Sequence, residues 1–222
     1  MDAIIITTHD MMRIEERAHA MGVTRLLMME NAGAGIAHHI ASKFSDLRGR
    51  RVVAIAGLGN NGGDAMVSAR HLTYYRADVT VVLLGRGADI RTVEARTNWG
   101  ILERMGGSIR LVELGEGMAM DSIRGMITNA DVIVDGIFGT GIKGSIREPH
   151  ASMIDAINAS RAYKVAVDVP SGLDPDTGMY ERCVRADATV TFHRAKRGLM
   201  VSRDVCGTIV VWPIGIPPEA EV

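Results

Sequence analysis

The segment AGLGNNGGDA, residues 56–65, carries the densest chemical signal in the chain. Gly57, Gly59 and Gly62 satisfy G-x-G-x-x-G after the apolar run RVVAI and before a helical pattern. That arrangement lets backbone N–H groups approach a phosphate at a helix N-terminus. A phosphate-bearing ligand is the functional expectation, and a glycine turn after a first strand is the purely structural one. Two more polar residues close apolar runs: Asp135 ends DVIVD before GIFGTGIKGS, and Asp168 ends KVAVD before VPSG. A single Asp after a strand is usually a turn former. In a doubly wound sheet of order 3-2-1-4-5, however, ligands bind beyond the carboxyl ends of the strands at the switch point. Asn60, Asn61, Asp64, Asp135, Asp168 and Ser171 are therefore expected to converge in one crevice. Their oxygens are hard donors, suited to an alkali or alkaline-earth cation and poorly suited to zinc. The crevice is expected to take a cation and an anionic ligand together.

Other chemistries fit less well. A dinucleotide oxidoreductase places an acid at the end of its second strand to bond the ribose. Here DVTVVLLGRG ends in Gly85 and Arg86, so an NADP-dependent dehydrogenase rests on the glycine motif and Arg86 alone. Asp64 reads equally as a stabiliser of a helix N-terminus or as a site residue. The histidines are dispersed apart from His38 and His39, with no HxxxH or HExxH, which argues against a transition-metal site. No G-x-S-x-G elbow occurs and Ser171 has no evident His partner, which argues against serine hydrolysis. THDMMRIEERAHAM reads as a packing helix with a charged face, and the methionines read as adaptable core.

The elements that must position these residues follow from periodicity. Residues 9–44 read as two helices separated near Gly22, with Met12, Ile14, Ala18 and Met21 on one stripe of the first. From Arg51 onward, β-branched runs (RVVAIA, DVTVVLL, SIRLVEL, DVIVDG, YKVAVDV, DATVTF, TIVVWP) alternate with helical intervals at 62–75, 90–105, 119–129 and 150–160. This predicts an α/β, Rossmann-like three-layer sandwich: a mostly parallel central sheet, helices on both faces, and an N-terminal helical arm. Residues 1–222 are expected to form one domain, with the arm at 9–44 and the core at 51–222. Only HRAKRGLMVSRDVCG joins the last two runs, so one of them is a candidate antiparallel strand.

Composition sets the bounds. Hydrophobic residues at 47% and charged residues at 23% describe a folded globule, and a net charge of −1 gives no general attraction for nucleic acid or anionic lipid. Cys183 and Cys206 form no CxxC, which points away from a disulfide framework or zinc knuckle and toward a reducing compartment. The opening apolar run is too short for a signal peptide and no later run is of membrane-spanning length, so a cytoplasmic protein is expected.

LMMENAGAGIA at 27–37, GLGNNGGDA at 57–65, VDGIFGTGIKGSIREP at 134–149, VDVPSGLDPDTG at 167–178 and ATVTFHRAKRGL at 188–199 together resemble the NAD(P)H-hydrate epimerase family, the YjeF N-terminal domain. The likeness runs in unbroken order from about Met11 to Val211. It implies an isomerase that interconverts the R and S epimers of hydrated NADH or NADPH, so that a separate S-specific dehydratase clears both. By motif position, it implies that Asn60, Asn61, Gly62, Gly63 and Asp64 bind the hydrate together with Gly139, Thr140, Gly141, Ile142, Lys143, Gly144 and Ser145. It further implies that Asp168 meets the reacting end as the catalytic residue, and that Asn61, Asp135 and Ser171 hold a potassium ion. Lys196 matches a lysine of the family with no definite role. Ala65 stands where the family usually has glycine, and its methyl is expected to crowd the pocket slightly. A homodimer with the arm at its interface is also implied. The C6 hydroxyl of the hydrate neighbours the ring nitrogen, so acid-assisted loss and return of water and reversible ring opening are both open routes. The alternative is a non-catalytic nucleotide-binding scaffold of the same fold; retention of Asp64, Asp135 and Asp168 favours the enzyme.

Overall fold

A computed structural model describes residues 5–114, 120–141 and 145–221. In chain order the elements begin with β1 (Ile5–Ile6), α1 (Thr8–Ala20) and α2 (Arg25–Lys43). They continue with β2 (Arg51–Ala56), α3 (Asn60–Tyr74), β3 (Asp78–Leu83), α4 (Val93–Arg104), β4 (Arg110–Glu113), α5 (Met120–Thr128) and β5 (Val132–Gly136). The remainder are α6 (His150–Ala159), β6 (Tyr163–Val167), β7 (Ala188–Phe192), β8 (Ala195–Lys196), α7 (Arg197–Val201), α8 (Arg203–Cys206) and β9 (Thr208–Trp212).

Seven strands form one sheet in the order β4-β3-β2-β5-β6-β7-β9, and every pair in it is parallel. The expected antiparallel strand is therefore absent from this sheet: β9 runs parallel to β7, with Ala188 opposite Thr208 and Phe192 opposite Trp212. The short helices α7 and α8 supply the crossover that the connecting segment conceals. Chain order reverses between β2 and β5, so the switch point lies where the glycine loop and the Asp135 loop meet.

The sheet is buried on both faces, which explains its continuous apolar runs. Along β2, Val52, Ala54 and Ala56 pack toward one layer with Met66, Ala69 and Leu72 of α3 and Ile36 and Ile40 of α2. Val53 and Ile55 point the other way, toward Ile123 and Ile127 of α5 and Ile154 and Ile157 of α6. The α1 stripe is Met11, Ile14 and Ala18; Met12 and Met21 are exposed, so the expected stripe was out of phase at two of its four positions.

The arm is fastened at several points. Thr7 caps α1 by accepting from the Asp10 N–H at 3.1 Å, and Asp176 accepts from the Thr8 N–H at 2.8 Å and the Thr8 hydroxyl at 2.5 Å. Asp176 lies in the DPDTG loop, whose turn is held by Asp174 accepting from the Asp176 and Thr177 N–H groups. β1 pairs in parallel with β8, placing Ile6 opposite Lys196. Strands this short carry no periodicity, and neither was expected from the sequence.

Candidate active site

β2 ends at Ala56 and the chain turns through Gly57, Leu58 and Gly59 into α3. The turn is tight because backbone meets backbone: Gly57 N–H donates to the Gly136 carbonyl at 2.9 Å, and a Cβ on Gly62 would lie 2.0 Å from the Gly57 carbonyl oxygen. Only glycine fits there. Gly59 is the N-cap of α3 and supplies no side-chain cap, which leaves the first N–H groups of a 15-residue helix open to a ligand. Asn60 and Asn61 form the first turn of this helix, so Asp64 sits a turn further in than expected. It lines a cleft there instead of capping the N-terminus.

That cleft has a volume of about 710 Å³ and brings together most of the expected residues. Asn60, Asn61, Asp64, Gly139, Thr140, Gly141, Ser145 and Asp168 line it. Gly62 and Gly63 lie beneath, packed on Gly57 and Met29. Ile142, Lys143 and Gly144 lie outside the described residues. Ala65 is buried against Gly136 away from the cleft, so its methyl does not crowd the pocket. Arg86 is also off the cleft and pairs with Asp89 at 2.9 Å, which removes the one residue that favoured an NADP-dependent dehydrogenase.

Asp168 is held in an unusual way. It has φ of +63°, a left-handed conformation that non-glycine residues seldom adopt, and Val169 N–H donates back to the Val167 carbonyl at 2.7 Å across it. Its own N–H donates to the Val190 carbonyl at 2.8 Å, so the turn is fixed to the neighbouring strand. Strain of this kind persists only where the surroundings over-determine it, and it points to function. Three donors converge on Oδ1: the Thr191 hydroxyl at 2.9 Å, the Phe192 N–H at 3.2 Å and the Lys196 ammonium at 2.5 Å. These are the surroundings of a hydrogen-bond acceptor, and among the described residues Oδ2 has no hydrogen-bond partner.

Asp135, Ser171 and Asn61 meet in one network under the cleft. Ser171 donates its hydroxyl to Asp135 Oδ1 at 2.5 Å and its N–H to Oδ2 at 2.8 Å. Phe138 N–H donates to Ser171 Oγ at 2.9 Å, and Asn61 Nδ2 donates to the Phe138 carbonyl at 3.0 Å. Burial pushes the Asp135 carboxyl up to about 6, and no basic side chain among the described residues pairs with it. A carboxylate, an amide oxygen, a hydroxyl and a main-chain carbonyl are a donor set for a monovalent cation. No group of three His, Cys, Asp or Glu side chains among the described residues is placed to hold a metal ion.

The structure adds lining residues that sequence reasoning missed. Glu15 comes from α1, Arg25, Met28, Met29 and Ala32 from α2, Arg91 from the segment before α4, and Arg147 and His150 from the start of α6 and the segment before it. His150 stacks on Phe138 with ring centroids 4.8 Å apart. Glu15 had a legible signal: with Met11, Ile14 and Ala18 it completes an i, i+3, i+4, i+7 face, so it is a carboxylate on the inward side of the helix. Lys196 was recognised, but not that it is 1% exposed and bonded to Asp168.

No helix among the described residues is long and apolar enough to cross a membrane. Residues 25–198 match the family model "YjeF-related protein N-terminus". The chain is 52% identical to an NAD(P)H-hydrate epimerase of Cenarchaeum symbiosum and 46% identical to one of Nitrosopumilus maritimus, in each case over 97% of both chains. It is 45% identical to the Bifunctional NAD(P)H-hydrate repair enzyme Nnr of Pyrobaculum aerophilum, covering 98% of this chain and 43% of that protein. In fold it matches the crystal structure of yeast ynu0 with a TM-score of 0.79 at 24% identity, over 94% of this chain and 87% of that one. With a family match spanning most of its length and these identities across nearly all of it, the chain belongs to the YjeF-related protein N-terminus family.

Proposed function

We propose that this protein is an isomerase, an NAD(P)H-hydrate epimerase acting on the C6 hydroxyl of hydrated NADH or NADPH. One observation carries the reading beyond the names of its relatives. An anchored carboxylate, Asp168, shares a cleft with the open N-terminus of α3, so a single ligand can present a phosphate to one and a reacting ring to the other. The pyrophosphate lies against the Asn60–Asn61 turn and Gly139, Thr140, Gly141 and Ser145, in the cleft that Arg91 and Arg147 also line. The hydrated ring reaches Asp168. Proton transfer by a positioned carboxyl contributes about 10²- to 10⁴-fold.

Potassium belongs to this reading as the ion held by Asn61, Asp135 and Ser171. It supplies a fixed positive charge to the buried Asp135 carboxylate and ties the glycine loop to the two loops that follow β5 and β6. The protein acts in the cytoplasm as a homodimer with the arm at its interface, and hands the S epimer to a dehydratase. Sedimentation at micromolar concentration is expected to give a dimer, and a monomer contradicts that part. Activity is tested by supplying the R hydrate of NADPH with a separate S-specific dehydratase. Clearance is expected to accelerate when the protein is added, and clearance at the spontaneous epimerisation rate rejects the function.

A further inference from the structure

Glu15 belongs to none of the five sequence motifs and lies outside the family match at 25–198, yet it faces the same cleft as Asp64 and Asp168. Its helix is anchored beside it: Asp176 holds Thr8 at the N-terminus, and Arg17 donates to the Ala220 carbonyl at 3.4 Å. The charged groups acting on Glu15 and Asp64 come from several elements. Asp168 after β6 and Lys196 from β8 act on both, Arg25 from α2 acts on Glu15, and Glu15 acts on Asp64. Three carboxyl groups thus line one cleft with the Arg25 guanidinium, and the buried Lys196 ammonium beside them is bonded to Asp168. Among the described residues, neither Glu15 nor Asp64 has a side-chain hydrogen bond or an ion pair. Like charges crowded where water is scarce are relieved by a shared proton. Desolvation, with the Asp168 charge next, raises the Glu15 carboxyl and drives that of Asp64 well above the usual carboxylate range.

Resting on the epimerase reading, we propose that Glu15 and Asp64 hold one proton between them and act as the acid arm of the reaction, with Asp168 as the base arm. The pair gives its proton to the C6 hydroxyl oxygen. The C–O bond breaks with its electrons on oxygen, water departs, and the ring nitrogen lone pair forms the N1=C6 bond of an iminium cation. A solvent water adds its oxygen to the other face of C6, the N=C π electrons return to nitrogen, and Asp168 takes a proton from the added water. The sum is an inverted hydroxyl and one proton moved from the pair to Asp168. That protonation state serves the opposite direction, and proton exchange with solvent in the cleft resets it.

The test uses the full chain and Glu15→Gln, with thermal unfolding as the check that the variant folds. In the wild type, the rate of R-to-S inversion above the spontaneous background is expected to fall on the alkaline side as the shared proton is lost. Glu15→Gln removes one of the repelling charges, so that fall should move to lower pH by about one unit, with a rate about tenfold lower near neutrality. A packing role would lower stability or rate without moving the pH profile, so an unmoved profile overturns the proposal. Inversion in ¹⁸O-labelled water is expected to place one solvent oxygen at C6, and inversion with the original oxygen retained overturns the step. Carbon-13 NMR of the Glu15 and Asp64 carboxyls requires no turnover: coupled titration displaced upward supports the shared proton, and two independent titrations near pH 4 overturn it. If the wild type shows no activity above background, the epimerase reading fails, and the NMR result alone decides the shared proton.

Discussion

Lys196 places its ammonium under the floor of the cleft, where Asp168 Oδ1 and the Phe192 carbonyl oxygen at 3.0 Å are its hydrogen-bond partners. A buried pair of this kind contributes little net stability, but removing one partner strands the other charge. Lys196→Met should therefore cost about 3–5 kcal/mol in urea unfolding. The double variant with Asp168→Asn should recover part of that loss, because no unpaired carboxylate is left. Asp168→Asn alone keeps shape and most hydrogen bonds but cannot exchange a proton. Its kcat should fall by about two or more orders of magnitude with a much smaller change in KM, as expected when the lost interaction belongs to the transition state. At this scale the sequence was informative where a polar residue closes an apolar run, as at Asp135 and Asp168. It was silent on which partner a side chain takes, and Glu15 escaped because the α1 stripe was drawn through Met12 instead of Met11.

At the scale of elements, the cleft depends on how closely α2 and α3 approach. A Cβ on Gly33 would lie 2.4 Å from Val67 Cβ and 2.8 Å from the Ser68 nitrogen. Gly33→Ala should destabilise the fold by about 1–3 kcal/mol, the usual range for overpacking, measured as a lower midpoint of urea unfolding at unchanged slope. The same shift would move Met28, Met29 and Ala32, which line the cleft from α2, so ligand affinity should drop as well. All seven strands of the main sheet were legible because both of its faces are buried, and strand length and β-branched content mark such runs clearly. The parallel direction of β9 was not, since direction is set by the α7–α8 crossover and not by the strand's own residues. β1 and β8 are two residues each, too short for any pattern to show.

For the molecule as a whole, the cleft is lined by charges of both signs, the carboxyls of Glu15, Asp64 and Asp168 and the guanidinium groups of Arg25, Arg91 and Arg147. Beneath it, Asp135 couples stability to pH. Its folded value of about 6 stands above the ordinary 3.8, so between these two values the unfolded chain releases its proton first. Stability from this group is full below about pH 4 and falls as pH rises toward 6, by about 3 kcal/mol in potassium-free buffer. Potassium bound as proposed at Asn61, Asp135 and Ser171 would offset that loss. Adding it should raise the Tm at pH 8, have little effect at pH 4, and have none in Asp135→Asn; equal responses at both pH values would contradict the site. The convergence of the three loops could be read from the glycine motif and the strand ends, whereas the sealing of Asp135 and Ser171 below the ligand space depends on packing across distant segments.

The most direct measurement follows one bond at C6. Purified R hydrate of NADPH, incubated with the protein alone and monitored by proton NMR, reports inversion without a coupling enzyme. The R and S epimers are expected to reach their equilibrium ratio far faster than without protein, and Asp168→Asn is expected to return the rate to near the spontaneous one. Inversion at the spontaneous rate with the wild-type protein, in potassium and near neutral pH, would contradict the proposed epimerase activity.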